Sequence, residues 1–288
     1  MDDWKNDARA SDDYADTEFL YNQLMAPALD RAIAAVGIRP GWHVLDAGCG
    51  PGGVMPRLCA AVAPNGTVLG IDYSAPHVER ARRLLREQGL ELSATVEVAD
   101  LRGELIVEPQ SCELVWTSDA LYPDTVGDPA PIVARLARAL KPGGVFAVFY
   151  GDWLRPLYLP GYARLEHLIC AARELEYQRA HPWQGLSHPE RPLAWLRAAG
   201  LNAQAIQVFP VVYTQPLPKP VRDYLTTAIL AGHYARAITS CGKDVGLTAE
   251  DEALWRRLSN ASDPNFILNQ PDYYCVVSPL LAIGRRPL

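Results

Sequence analysis

Val44-Leu45-Asp46-Ala47-Gly48-Cys49-Gly50-Pro51-Gly52-Gly53 is the stretch from which the rest of the chain is read. An apolar run ends in an aspartate, and three alternating glycines follow at once. The run predicts a buried parallel strand, and the glycines let backbone approach a ligand closely. The helical pattern beyond them starts its free N–H groups at the same place. The stretch therefore predicts a cradle for a nucleotide-type cofactor.

Outward from it, strand alternates with helix. His43–Ala47 is strand one, a helix covers about Gly53–Ala63, and Asn65-Gly66 turns into the strand Thr67–Asp72. Ser74 caps a helix running to about Gln88, with Pro76 in its first turn. Its arginines (Arg80, Arg82, Arg83, Arg86) read as a solvated face. Strands follow at about Ala94–Ala99 and Glu113–Thr117, then a helix at about Pro129–Leu140. Lys141-Pro142-Gly143-Gly144 reads as a tight turn into the strand Val145–Tyr150. This rhythm predicts parallel pairing with right-handed crossovers, a doubly wound α/β sheet.

Before that core, about Asp16–Val36 reads as two helices broken at Pro27, with Gly37 as a cap. After it the rhythm changes. Helices are predicted at Gly161–Arg179, Arg191–Ala199, Val221–Ile238 and Ala249–Leu258, and strands at Ala203–Tyr213 and Tyr273–Arg285. The organisation expected is an N-terminal helical cap (1–37), a ligand-binding core (38–151), and a segment (152–288) that completes the sheet and carries helical lid insertions.

Composition narrows the function. Across 288 residues the net charge is −6, which argues against a nucleic-acid partner. Six scattered cysteines show no metal-ligand spacing and read as reduced, small apolar residues. The acidic first residues lack a secretory pattern, and no apolar run has the length of a membrane span. A cytoplasmic protein, without membrane insertion and with no metal, is expected.

Two further acids end consecutive strands, Asp72 in Gly-Ile-Asp-Tyr-Ser and Asp100 in Val-Ala-Asp-Leu. Both stand at carboxyl ends, where open α/β sheets bind ligands. Asp72 suits a ribose diol and Asp100 an exocyclic adenine amine. Asp46, two residues before the first glycine, can reach a ligand's ammonium group.

VLDAGCGPGG, GIDYS, the VEVAD acid and the LKPGG turn, in order across about residues 38–151, resemble the class I S-adenosylmethionine-dependent methyltransferases. The branch resembled is the small-molecule type similar to ubiquinone- and menaquinone-biosynthesis enzymes. The resemblance implies a Rossmann-like seven-stranded sheet whose last strand is antiparallel, inserted between the fifth and sixth. It implies S-adenosyl-L-methionine as cofactor and S-adenosyl-L-homocysteine as product. It assigns Gly48, Gly50 and Gly52 to the methionine part, Asp72 to the ribose, Asp100 and Leu101 to adenine, and Ser118, Asp119 and Ala120 to the methyl group. Tyr73 is placed along the ribose and adenine.

The chemistry expected is in-line methyl transfer to a small, bulky and fairly apolar organic acceptor, of secondary-metabolite or quinone type. Asp119, His181, His188 and His233 are the candidate bases. Tyr14, Phe19, Tyr21, Tyr122, Tyr150, Trp153, Tyr158, Trp183, Tyr224 and Tyr234 are candidates for an aromatic-lined acceptor pocket. Ser118-Asp119-Ala120-Leu121 departs from the motifs of nucleobase and glutamine methylation, which leaves a small molecule as partner. A homodimer is compatible with the chain. The alternatives are a non-methylating S-adenosylmethionine binder on the same fold and, more remotely, a nicotinamide oxidoreductase.

Overall fold

The computed structural model describes residues 12–104, 106–151, 155–180 and 188–288. In chain order the elements begin with α1 (Asp12–Val36), β1 (His43–Ala47), α2 (Met55–Val62), β2 (Thr67–Asp72), α3 (Ala75–Glu87) and β3 (Ala94–Val98). Next come β4 (Cys112–Ser118), α4 (Pro123–Val126), α5 (Pro129–Leu136), β5 (Leu140–Tyr150), α6 (Ala163–Ala180), α7 (Pro192–Ala198), β6 (Asn202–Val208) and β7 (Val211–Thr214). The chain then forms α8 (Lys219–Tyr224), a π-helical segment (Leu225–Tyr234), α9 (Ala235–Cys241), α10 (Ala249–Ser259), β8 (Tyr274–Val277) and β9 (Leu280–Arg285).

Seven strands form one sheet in the order β3-β2-β1-β4-β5-β9-β6. Its first five strands are parallel, and β9 runs antiparallel to both neighbours, β5 and β6. The order expected from the family resemblance is therefore present. Residues two apart share a face, so each strand feeds two cores. Val44, Leu114, Trp116, Val145 and Ala147 join the side covered by α1 and α2. Leu45, Ala47, Val115, Phe146 and Val148 join the side covered by α5 and α7. Both faces are buried, which explains the unbroken apolar runs of β1 and β4.

Five readings are corrected. Pro27 does not split the first helix: α1 passes through it as one helix of 25 residues. Leu24, Met25, Ala28, Leu29 and Ala32 are all buried around it, and packing of that face outweighs the missing N–H. The stretch Ala203–Tyr213 is two strands, and Tyr273–Arg285 is two as well. Both break at a proline: Pro210 follows β6, Pro279 precedes β9, and the Phe209 N–H donates to the Pro279 carbonyl at 2.9 Å. Beyond the break, β7 and β8 leave the main sheet as a separate antiparallel pair.

The Lys141–Gly144 stretch is an irregular part of β5 rather than a turn before it, and the pairing with β4 shifts register there. The helix over 221–238 is interrupted by the π-helical segment. The six cysteines are free and buried.

Candidate functional site

The site is built where the strand order reverses. β1 has β2 on one side and β4 on the other, so the chains leaving β1 and β4 diverge and open a crevice at their carboxyl ends. The glycine loop after β1 is folded by its own residues. Gly48 and Cys49 donate their N–H groups to the Ile71 carbonyl at 2.8 and 3.0 Å. Gly48 has φ +79°, and a Cβ there would lie 2.3 Å from Ala120 Cβ. A side chain at Gly48 is thus excluded twice, by conformation and by the loop facing it. Gly50 has φ +52° with open space around it, whereas Gly52 lies against Ala81 of α3.

Asp72 ties this loop to the next. One carboxylate oxygen accepts the Gly50 N–H at 3.0 Å, and the other accepts the Ser74 N–H at 2.9 Å. His77 Nδ1 stands 3.7 Å away. Ser74 caps α3 through the His77 N–H, as read from the sequence.

Asp46 lies below the loop, 1% exposed. Its Oδ2 has no hydrogen-bond partner among the described residues. Burial, and then the Asp72 charge, push its carboxyl up to about 7. An unsatisfied buried acceptor beside a second acid is the environment that a cationic donor relieves, and the α-ammonium of a methionine moiety is such a donor. The residues present therefore fit S-adenosylmethionine: an acid for the ammonium, a glycine cradle, and acids ending β2 and β3.

At the end of β3, Asp100 is held by Arg102, whose backbone N–H and guanidinium both donate to it. Partial burial acts to raise its carboxyl, but the Arg102 hydrogen bonds prevail and hold it below the usual range. Leu101 accepts a hydrogen bond from Arg135 through its carbonyl, and its side chain reaches toward Gly48 and Ala120. Tyr73 is half-buried.

After β4 the chain turns through Asp119, which has φ +51°, a conformation that aspartate tolerates. Its carboxylate accepts from the Tyr21 phenol at 2.5 Å, the Tyr122 phenol at 2.9 Å and the Gly151 N–H at 2.9 Å. Burial, and then the Asp119 charge, push both phenols well above the ordinary tyrosine range, so both remain donors. A pocket beside this network is lined by Thr117, Asp119, Tyr122, Tyr150, Pro189 and Trp195. The Tyr122 and Tyr150 rings pair at 5.6 Å. Ser118 ends β4 opposite Phe149.

The other candidates separate. His188 lies between Glu174 and Glu190, 3.8 Å from each, next to the pocket-lining Pro189. His233 sits in the π-helical segment, where burial, and then the charges of Arg173 and Arg236, push it down to about 3. Its imidazole is neutral there and a weak proton acceptor. Tyr234 packs in the interior against Tyr158 and Trp255 and donates to Glu166 at 3.0 Å. Tyr224 packs on Tyr21 at 6.0 Å, joining α8 to α1. The Tyr14 side chain, and Trp153, His181 and Trp183 entire, lie outside the described residues.

Sequence reading missed Thr117, Pro189 and Trp195, which line the pocket, and Asn22, whose side chain fills the space beside Gly53. None carries a local signal, since each is set by a distant element. Among the described residues no three His, Cys, Asp or Glu side chains gather as metal ligands, and no helix is long and apolar enough to cross a membrane.

Comparison with known proteins agrees with this geometry. Residues 38–197 match the family model described as a methyltransferase domain. The chain is 32% identical to the 27-O-demethylrifamycin SV methyltransferase of Amycolatopsis mediterranei, over 62% of this chain and 70% of that one. It is 35% identical to the dimethylglycine N-methyltransferase of Parasynechococcus marenigrum, over 64% of this chain and 61% of that one. The chain spans about half the length of the curated relatives it matches first, from 35 to 61%. A geranyl diphosphate methyltransferase structure, in complex with GPP and sinefungin, shares the fold with TM-score 0.54 at 18% identity, over 92% of this chain and 78% of that one. The family match covers more than half of the sequence and coincides with the crevice between β1 and β4: the chain belongs to the S-adenosylmethionine-dependent methyltransferases of the methyltransferase-domain family.

Proposed function

We propose that the chain transfers a methyl group from S-adenosylmethionine to a small, bulky and fairly apolar organic acceptor, of secondary-metabolite or quinone type. The observation that carries the reading is the buried Asp46 carboxylate, left with an unpartnered oxygen beneath the glycine loop. The cofactor supplies an electrophilic methyl group on a sulfonium. Asp46 and the Gly48–Gly52 loop hold its methionine part. Asp72 and Tyr73 take the ribose, with the outer lone pairs of Asp72 still free to accept. Asp100 and Leu101 take the adenine, and Ser118, Asp119 and Ala120 face the methyl group.

The acceptor enters from the pocket of Tyr122, Tyr150 and Trp195, whose aromatic walls exclude water and favour positive charge at the sulfur. Positioning a nucleophile there supplies most of the rate. Two relatives, the rifamycin-type enzyme above and a nocamycin O-methyltransferase, carry names that support a bulky acceptor. The buried, free cysteines support a reducing, cytoplasmic setting.

Calorimetric titration with S-adenosylmethionine, S-adenosylhomocysteine and NAD in parallel tests the reading. Binding of the two sulfur ligands and not of NAD is expected. Failure of both sulfur ligands to bind overturns it.

A further inference from the structure

The two edges of the main sheet are finished differently. At the β3 edge the Arg82 guanidinium donates two hydrogen bonds to the Val96 carbonyl, at 3.0 and 2.8 Å, and Glu97 places a charge on the strand. Caps and charges of this kind keep an edge strand from pairing with another chain. At the β6 edge only the first half is treated so: Arg197 caps the Ala203 carbonyl at 2.9 Å, and the register shifts between Ala203 and Ile206. The second half has neither cap nor charge. Ala205, Ile206, Gln207 and Val208 are exposed in succession, so neither face of the strand is covered there. Ile206 and Val208 are 37% and 56% exposed, and Val212 and Tyr274 of the adjoining β7–β8 pair are 58% and 40% exposed. These four account for half of the large apolar side chains that are exposed among the described residues.

We infer that this edge is the interface of a homodimer, in which β6 pairs antiparallel with β6 of a second copy across a two-fold axis. The strand suits itself as a partner. In an antiparallel pair centred on Gln207, Ile206 of each chain meets Val208 of the other, so apolar groups oppose apolar groups. Gln207 opposes its own copy, and its amide both donates and accepts. Charge points the same way. Two copies each with net charge −6 repel, and Asn202–Val208 contains no ionisable residue. Its self-pairing therefore sets no like charges opposite one another. A stable interface covers roughly 1,200–2,000 Å² in total, more than a short strand supplies, and Val212 and Tyr274 extend the apolar patch.

Sedimentation equilibrium of the full chain over a wide concentration range tests the inference. Wild type is expected at twice the mass of one chain, and the double variant Ile206→Lys, Val208→Lys at the mass of one, with an unchanged circular-dichroism spectrum. A wild type that stays monomeric overturns the proposal, as does a dimer that survives both lysines. Hydrogen exchange of the wild type keeps the question open to test should the double variant fail to fold. The Ile206 and Val208 N–H groups point away from β9, since Phe209 and its alternates point toward it. These two amides should then gain protection as concentration rises, and concentration-independent exchange overturns the interface.

Discussion

The Tyr21 phenol donates a 2.5 Å hydrogen bond to Asp119, across 98 positions of sequence, and so fastens helix α1 to the loop that faces the glycine cradle. Asn22, the next residue, fills the space beside Gly53 on the opposite loop. One turn of α1 therefore bridges both loops of the crevice. Tyr21→Phe removes the bridge on one side while keeping the ring against Tyr224. A hydrogen bond to a charged group is worth about 1.5–3 kcal/mol. Chemical denaturation should show a loss of that size, and stopped-flow measurement should show faster release of S-adenosylhomocysteine. Release at the wild-type rate would mean that α1 does not gate the crevice.

Asp46 gives stability a dependence on pH. Its carboxyl rises from 3.8 to about 7 on folding, so between those values the folded chain holds a proton that the unfolded chain has released. The contribution is complete below about pH 4 and is lost as pH rises toward about 7. Asp46→Asn removes this loss. In the absence of cofactor the variant should match wild type near pH 4 and exceed it at about pH 8, by up to the order of 4 kcal/mol at 1.36 kcal/mol per unit. Its affinity for S-adenosylmethionine should fall. Denaturant titrations at the two pH values check the first part and calorimetry the second.

Gly48 and Gly50 should respond differently to alanine. Both need positive φ, which costs an L-residue about 1–2 kcal/mol. At Gly50 that is the whole penalty, because the space around it is open. At Gly48 the new methyl meets Ala120 at 2.3 Å, so Gly48→Ala should destabilise more and push the two loops apart. Ala120→Gly in the same chain should recover part of the loss. A double-mutant cycle without such coupling would place the two loops further apart than described.

Asp72→Ala should damage fold and binding together. It leaves the Gly50 and Ser74 N–H groups without their acceptor, at about 1–3 kcal/mol for each buried donor. Thermal denaturation should show the loss, and affinity for S-adenosylmethionine should fall by more than the stability change accounts for. Affinity equal to wild type would remove Asp72 from the ribose.

The parts of this fold written locally were legible. β1 and β2 occupy the residues read for them, because a buried parallel strand needs an unbroken apolar run and ends at a polar turn. The loop glycines were legible because positive φ leaves little other choice. Pro27 misled because its effect depends on what packs around it, and a helix face buried as deeply as that of α1 tolerates the proline. The late strands misled because Pro210 and Pro279 break them as a pair, which shows only when β6 and β9 lie side by side. Tyr21 and Tyr234 look alike in sequence: one reaches the crevice, and the other is buried among Tyr158, Trp255 and Glu166.

The antiparallel β9 also sets the order in which the chain can be finished on the ribosome. β5 needs it as a neighbour, and β6 has no other partner in the sheet. It is synthesised after every other element described here. The crevice between β1 and β4 can therefore form while translation continues, whereas β5 keeps one flank bare and β6 waits undocked. Until residues 280–285 emerge, β5 and β6 each expose a β-edge that the finished sheet closes. Slow passage through that interval is the point at which chaperones and aggregation compete for it.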